Sequence, residues 1–301
     1  MEEERLRPIL DSMPCLSGWT SLEPISGGLT NRNFKVRTAN GDYVLRISDP
    51  STGILGISRD NERVNAVRAA EAGIAPMVDG ISPENLAMAT RWMEVRTIHP
   101  EDIITEPLLI DRLTAAMRIL HAGPEFQGRF YFPEVRRRYL DSVISNNWFL
   151  PADYLELDKK VQQLEAVIEA NPEPFVPCNN DLLPENFLDD GRKIWIIDYE
   201  YAGMNQPSFE LGHLASEAFL PDDLLTRLVD SYWQQHLPEK VARTKAWSII
   251  ARFGWTLWAS IQEATSPISF DYRGWGMKKY NSVVPELNSP RFREILDQLN
   301  A

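Results

Sequence analysis

The feature that most constrains this chain is a pair of polar motifs on either side of a short hairpin. Asp181 is followed five positions later by Asn186, and Asp198 closes the apolar run 194–197. An Asp-Asp-Gly turn at 189–191 separates the two motifs. Phosphoryl transfer needs a group that orients the attacking hydroxyl, together with oxygen ligands for Mg²⁺. The spacing therefore predicts that Asp181 is the catalytic base, that Asn186 assists it, and that Asn186 and Asp198 bind the metal.

These motifs also carry a resemblance to a known family. Asn-Asp-Leu-Leu-Pro-Glu-Asn at 180–186, then Ile-Asp-Tyr-Glu-Tyr-Ala at 197–202, resembles the choline/ethanolamine kinases. That family belongs to the small-molecule kinases, which include the aminoglycoside phosphotransferases. A Glu-Leu-Gly step at 210–212 also matches, whereas Asn179 stands where the family usually has His, a change that bears on loop geometry more than on chemistry. The alternative interpretation is an Asx-capped acidic turn, with Asp198 merely ending a strand.

The resemblance covers nearly the whole chain and is weakest over 94–170. It implies an α+β, protein-kinase-like fold with two lobes that bind ATP and Mg²⁺ between them. Residues 1–93 would form the nucleotide-binding lobe, an antiparallel sheet with one helix. Residues 94–301 would form a mostly helical lobe for catalysis and acceptor binding.

The glycine pair Gly27-Gly28 marks the predicted nucleotide loop. It lies between predicted strands at 19–25 and 34–37, where glycine lets backbone N–H groups approach phosphate oxygens. Most Gly-Gly turns are only hairpins, but this segment resembles the nucleotide loop of the family. The residues thereby implied to bind the nucleotide are Gly27, Gly28, Thr30, Asn31 and Asn33.

Arg46 is the one cation in the predicted strand 43–47. In kinase-type sites a cation here pairs with phosphates and with a helix carboxylate, and Arg can bind phosphate through two N–H groups. Choline kinases also have Arg at this position. Glu62, in a helix predicted to begin near residue 61, is the candidate partner, and Glu71 competes with it. The other interpretation of Arg46 is an edge-strand side chain that faces water.

Aromatic residues dominate the end of the chain. Trp255 and Trp258 are three residues apart in a helix predicted over 240–262, so both project from one face. Aromatic faces attract a quaternary ammonium by about 0.5–2 kcal/mol each, although such a pair is more often core packing. The resemblance, in which Trp275 replaces the family's usual Tyr, implies the following acceptor-binding residues besides Asp181: Glu217, Trp255, Trp258, Phe270, Tyr272 and Trp275.

Composition limits the possible partners. The 31 basic and 43 acidic residues leave a net charge of −12, which argues against nucleic acid and anionic lipid. Cys15 and Cys178 are expected to be free thiols in a reducing cytoplasm, since the acidic N-terminus resembles no signal peptide. No apolar run approaches the length of about 18 residues that is needed to span a bilayer. The four His residues show no ligand spacing, which makes a zinc site improbable.

The prediction is an ATP- and Mg²⁺-dependent kinase that converts choline to phosphocholine. Ethanolamine, thiamine or another small amino alcohol is the alternative acceptor. Aminoglycosides would call for acidic side chains in place of aromatic ones. A catalytically idle relative that binds a quaternary amine is the non-enzymatic alternative, and Asn179 is the one sequence hint of it. The sequence does not indicate an oligomeric state.

Overall fold

The computed structural model describes residues 2–25, 28, 31–48, 50–83, 87–106 and 108–300. Gly27 and Thr30 of the predicted nucleotide loop therefore lie outside the described residues. The elements of the first lobe are α1 (Glu2–Asp11), β1 (Ser21–Ile25), β2 (Asn31–Thr38), β3 (Gly41–Ser48), α2 (Arg59–Glu71), β4 (Val78–Ile81) and β5 (Ala87–Arg91).

One antiparallel sheet organises this lobe, with the strand order β1-β2-β3-β5-β4. Tyr43 and Leu45 of β3 are buried on the face that α1 covers, where Leu6 and Leu10 join the same core. Because strand side chains alternate between faces, Arg46 points to the opposite face. The central position of β3 contradicts the interpretation of Arg46 as an edge-strand residue.

The rest of the chain is mostly helical, as predicted. Its elements are β6 (Arg96–Thr97), α3 (Pro100–Thr105), α4 (Leu109–His121), α5 (Phe132–Ser145), α6 (Tyr154–Ala170), β7 (Val176–Cys178), β8 (Phe187–Asp189), β9 (Ile194–Ile196), β10 (Gly203–Asn205), α7 (Pro207–Glu217), α8 (Asp222–Trp233), α9 (Pro238–Thr265), α10 (Tyr272–Asn288) and α11 (Arg291–Asn300). Strands β6, β8 and β9 form one small sheet, and β7 pairs with β10. The predicted lobe boundary at residue 93 falls between β5 and β6.

Helix α9 is the centre of the second lobe. It is 28 residues long and buried along most of its length, with α7 and α10 packed against it. The crossing with α7 is close because Gly212 lacks a side chain: a Cβ there would lie 2.6 Å from the Cβ of Trp247. This packing fixes α7, and with it Glu210 and Glu217, relative to the aromatic residues of α9.

Helix α10 is the main element that the sequence pattern does not predict. Gly274, Gly276 and Pro285 interrupt the helical signal in this segment. Gly276 is nevertheless needed, because a Cβ there would lie 2.6 Å from the Cβ of Ala259 in α9. Tyr272 and Trp275 thus both stand on this helix. Among the described residues, no helix is long and apolar enough to cross a membrane.

Candidate active site

The loop between β7 and β8 holds Asp181 and Asn186. Asn180 adopts φ +66°, and its Nδ2 donates to the backbone oxygens of Cys178 (3.2 Å) and Tyr201 (3.1 Å). Asn186 Nδ2 donates to the Asp181 carbonyl at 2.7 Å. This bond folds the five-residue interval into a tight loop. Asn186 Oδ1 is then the atom that could bind a metal ion.

Asn179, the departure from the family pattern, joins the two motifs. Its Nδ2 donates to the backbone oxygens of Ile197 (3.1 Å) and Asp198 (2.8 Å), and its Oδ1 accepts from Asp181 N–H (3.0 Å). Asp198 itself adopts φ +64°, a conformation that Asp and Asn tolerate better than most residues. The Asn179 amide therefore fixes the backbone of Asp181, the predicted base, and of Asp198, the predicted metal ligand.

Glu210 supports the same loop from α7. Its Oε1 accepts from the backbone N–H groups of Asn179 (2.6 Å) and Asn180 (2.9 Å), while its Oε2 pairs with His121 Nε2 at 2.5 Å. Cys178 Sγ lies 3.8 Å from the same nitrogen, so the fold brings together three groups that are distant in sequence. Both oxygens of Glu210 are occupied by these contacts. The arrangement positions the loop that carries Asp181 and Asn186, a role that the sequence motif at 210–212 did not reveal.

Arg46 joins the two lobes. Its Nη1 lies 3.1 Å from Glu62 Oε1, and its Nη2 lies 2.8 Å from Asp198 Oδ1 and 3.1 Å from Glu200 Oε2. Glu62, and not Glu71, is thus the partner, as predicted. Burial alone would lower the pKa of Arg46, but the nearby carboxylates hold it above its ordinary value. The guanidinium is therefore a permanent positive charge in the cleft, the region between the two lobes where Arg46 meets Asp198 and Glu200.

Glu200 is a site residue that the sequence interpretation missed. Its Oε2 accepts from Asn31 Nδ2 at 2.9 Å, and Arg59 Nη1 lies 3.5 Å away. Burial and the neighbouring Asp198 raise the pKa of Glu200 to about 6, although Arg46 opposes the shift. The available signal was its place two residues after Asp198, within the same sequence motif.

The acids of the cleft fit a divalent cation. Burial, followed by the nearby carboxylates of Asp198, Glu200 and Glu217, raises the pKa of Asp181 well above its usual range. Carboxylate and amide oxygens are the ligands that Mg²⁺ prefers. Asp198, whose side chain is 29% exposed, and Asn186 are therefore suited to hold the metal at the open side of the cluster.

Of the described nucleotide-loop residues, Gly28 adopts φ +90°, where a Cβ would lie 3.2 Å from the Asn31 carbonyl. A glycine is thus required in this turn. Asn31 and Asn33 begin β2, and Asn33 pairs with Arg46 in the register of β2 and β3. The structure therefore brings Gly28, Asn31 and Asn33 to the same end of the sheet as Arg46.

The predicted acceptor residues form a chain of ring contacts. Trp258 lies at the centre, with ring centroids 6.4 Å from Trp255, 5.9 Å from Tyr272 and 5.3 Å from Trp275. Phe270 lies 5.0 Å from Tyr272 and is 42% exposed. Trp255 and Trp258 are also part of the main hydrophobic core. The cluster thus runs from the interior to the surface, and its inner members pack the lobe as well.

Glu217 lies between the aromatic cluster and Asp181. His213 Nε2 is 3.8 Å from both the Glu217 and the Asp181 carboxylates, and the His213 ring packs edge-on against Trp255 at 5.6 Å. Burial lowers the pKa of His213, so the imidazole is neutral near pH 7. Lys279, which the sequence interpretation did not consider, places its Nζ 2.6 Å from Glu217 Oε2.

Comparison with known proteins agrees with this fold. The model of the phosphotransferase enzyme family matches residues 21–247. A crystal structure of a choline/ethanolamine kinase family protein from Mesorhizobium loti is 31% identical, with a TM-score of 0.86 and 99% of each chain covered. The chain belongs to the choline/ethanolamine kinase family, within the phosphotransferases. The N-terminal antiparallel sheet and mostly helical C-terminal part confirm the predicted kinase-like fold.

Two further relatives differ in their named acceptors. The choline kinase LicA from Streptococcus pneumoniae is 25% identical, with a TM-score of 0.79 over 94% of this chain and 99% of that one. A probable ethanolamine kinase from Arabidopsis thaliana is 24% identical over 87% of this chain and 78% of its own length. The family uses ATP, with Mg²⁺ as its usual partner, and the chain is a small-molecule kinase.

Proposed function

We propose that this kinase transfers the terminal phosphoryl group of ATP to the hydroxyl of choline. The observation that carries the choice of choline is the aromatic cluster around Trp258. Trp255 joins this cluster to His213, and His213 Nε2 lies 3.8 Å from the Asp181 carboxylate. Ring faces stabilise a quaternary ammonium without requiring N–H groups. The hydroxyl of an acceptor held there would face the predicted base.

Asp181 orients the hydroxyl and accepts its proton. Its side chain is 19% exposed, so a substrate can reach the carboxylate. A carboxylate with a raised pKa is a stronger base than an ordinary aspartate, which favours proton acceptance near neutral pH. Asn179 and Asn186 hold the backbone of Asp181 through hydrogen bonds to its N–H and carbonyl groups, so the base is oriented before substrate arrives.

Arg46 and the Gly28 turn hold the nucleotide phosphates in this proposal, together with the other predicted nucleotide-loop residues, Gly27, Thr30, Asn31 and Asn33. Glu62 orients the Arg46 guanidinium through the 3.1 Å contact. Asn186 and Asp198 would hold Mg²⁺, and Glu200 adds a carboxylate beside them. Bound Mg²⁺ neutralises charge on the phosphates during transfer.

A transfer assay with several acceptors tests this function. The protein is incubated with Mg²⁺, ATP and one of choline, ethanolamine or thiamine, and the phosphorylated product is identified by mass spectrometry. We expect phosphocholine to form with the highest kcat/KM. Asp181→Asn should lower kcat by about 10²–10⁴-fold while ATP binding persists, since the base is lost but the nucleotide contacts remain. Near-normal turnover of this variant would refute the assignment of Asp181 as base.

Ethanolamine is the second candidate, because the Arabidopsis relative is named a probable ethanolamine kinase. A higher kcat/KM for ethanolamine than for choline would identify ethanolamine as the preferred acceptor. The idle-relative alternative predicts nucleotide or amine binding with no product from any acceptor.

A further inference from the structure

Lys279 brings a positive charge into the predicted acceptor region. The side chain is 2% exposed, and its Nζ lies 2.6 Å from Glu217 Oε2 and 4.2 Å from the centroid of the Trp275 ring. Trp275 and Lys279 are four residues apart on α10, so they share a face of that helix. The lysine ammonium thus already has the two contacts, a carboxylate and an aromatic face, that a cationic acceptor would seek.

Glu217 has little free capacity to bind a second cation. Its side chain is 6% exposed, Oε2 is paired with Lys279, and Oε1 faces Ser216 Oγ at 3.5 Å and His213 Nε2 at 3.8 Å. Lys279 holds the pKa of Glu217 below its ordinary value although burial would raise it. The carboxylate is therefore charged and neutralised from within the protein. A cationic acceptor next to this pair gains little attraction from Glu217.

We infer that Lys279 is a specificity-determining residue that occupies Glu217 and leaves the acceptor ammonium to the aromatic faces. This inference rests on the proposed amino-alcohol kinase function. A quaternary ammonium has no N–H group to satisfy and loses little in such a pocket. A primary ammonium has three N–H donors, and burying them without charged acceptors is costly. The pair thus favours methylated over primary amines.

A double-mutant cycle on the full-length protein tests the inference. Glu217→Gln leaves the Lys279 ammonium unpaired, and repulsion should lower kcat/KM for choline by about tenfold or more. Adding Lys279→Met removes that repulsion, so the double variant should recover most of the loss. If Glu217 instead contacts the acceptor directly, the double variant will be as poor as Glu217→Gln, which overturns the inference.

Lys279→Met alone tests the specificity. It exposes the Glu217 carboxylate to the acceptor, so the ratio of kcat/KM for choline to that for ethanolamine should fall about tenfold, because charge-assisted N–H bonds form only with the primary amine. An unchanged ratio in a folded variant overturns the inference. If Lys279→Met does not fold, the rescue experiment still decides, because removing both charges of a buried pair is better tolerated than removing one.

Lys278→Met is the matched control. Lys278 is the exposed neighbour on α10 and lies over Phe219 at 4.6 Å, so its loss should leave the ratio unchanged. A ratio that falls equally in both lysine variants would contradict a specific role for Lys279. Failure of the proposed function itself is seen separately, as absence of choline phosphorylation by the wild-type protein.

Discussion

The two sides of the cleft hold buried charge in opposite ways. On the nucleotide side, two guanidinium groups, those of Arg46 and Arg59, contact three carboxylates, those of Glu62, Asp198 and Glu200. Among these described contacts, the acids therefore outnumber the bases. Such a cluster gains stability when a further cation arrives.

On the acceptor side, Lys279 and Glu217 form a one-to-one pair in the protein interior. This pair is balanced before any ligand binds. The first cluster is therefore suited to recruit a metal, whereas the second is suited to limit the attraction of a cation.

The largest effect is expected at Asp198. Asp198→Ala removes the predicted metal carboxylate and should reduce Mg²⁺-dependent transfer by about three orders of magnitude. Because the residue adopts φ +64°, Asp198→Asn should be made as well, since Asn tolerates this conformation and isolates the loss of charge. Steady-state kinetics over a range of Mg²⁺ concentrations measures the effect. Asp190→Ala, in the exposed hairpin, is the control. Full activity of Asp198→Ala at ordinary Mg²⁺ would contradict the assignment of Asp198 as a metal ligand.

Loss of the central cation should be the next largest effect. Arg46→Met leaves Glu62, Asp198 and Glu200 without their shared partner and should lower the free energy of unfolding by about 3–5 kcal/mol. Urea denaturation measures this change. Added Mg²⁺ should recover part of the loss in Arg46→Met but none in Lys279→Met. Equal responses of the two variants to Mg²⁺ would contradict the claim that only the cluster around Arg46 is suited to recruit a metal.

The loop between the two sides depends on Asn179. Asn179→Ala removes hydrogen bonds to the backbone of Ile197, Asp198 and Asp181, so kcat should fall by about 10–100-fold with little change in KM for ATP. Asn179→His, which restores the residue usual in the family, should retain more activity than Asn179→Ala. Wild-type kcat in the alanine variant would show that the loop does not need this amide.

The smallest effect is expected at Trp258. Trp258→Phe keeps an aromatic ring but loses the 3.1 Å bond from Nε1 to Tyr201 Oη and part of the π surface. KM for choline should rise by about two- to fivefold while KM for ATP stays unchanged. Trp195→Phe, in the β8–β9 hairpin, is the control for replacing an indole. Equal changes in both KM values would make Trp258 a packing residue only.

Much of the fold was predictable because local patterns agree with tertiary structure. The strand predicted at 43–47 lies within β3, and the helix predicted over 240–262 lies within α9, Pro238–Thr265. The contact between Arg46 and Glu62 was predictable because kinase-type sites require a carboxylate partner for this cation. Helix α10 was not, since only tertiary and capping contacts explain its glycines: a Cβ at Gly276 would clash with Ala259, and one at Gly274 with the Asp271 carboxylate.

The site was predictable where its residues are close in sequence. Asp181, Asn186 and Asp198 stand within 18 positions, and their spacing reflects one loop and one strand end. His121, Lys279 and the role of Glu210 were missed because these residues reach the site only through the packing of α4, α7 and α10. Their contacts span up to 89 positions of sequence, a range over which spacing carries no information.

The contacts of Glu200 also couple the folding of the two lobes. This carboxylate follows β9 in the second lobe, yet it accepts hydrogen bonds from Asn31 of β2 and Arg46 of β3. Melting the first sheet would strip these donors from an acid buried in the other half of the molecule. We therefore expect calorimetry to record one cooperative transition for the whole chain, where two weakly joined lobes would give two.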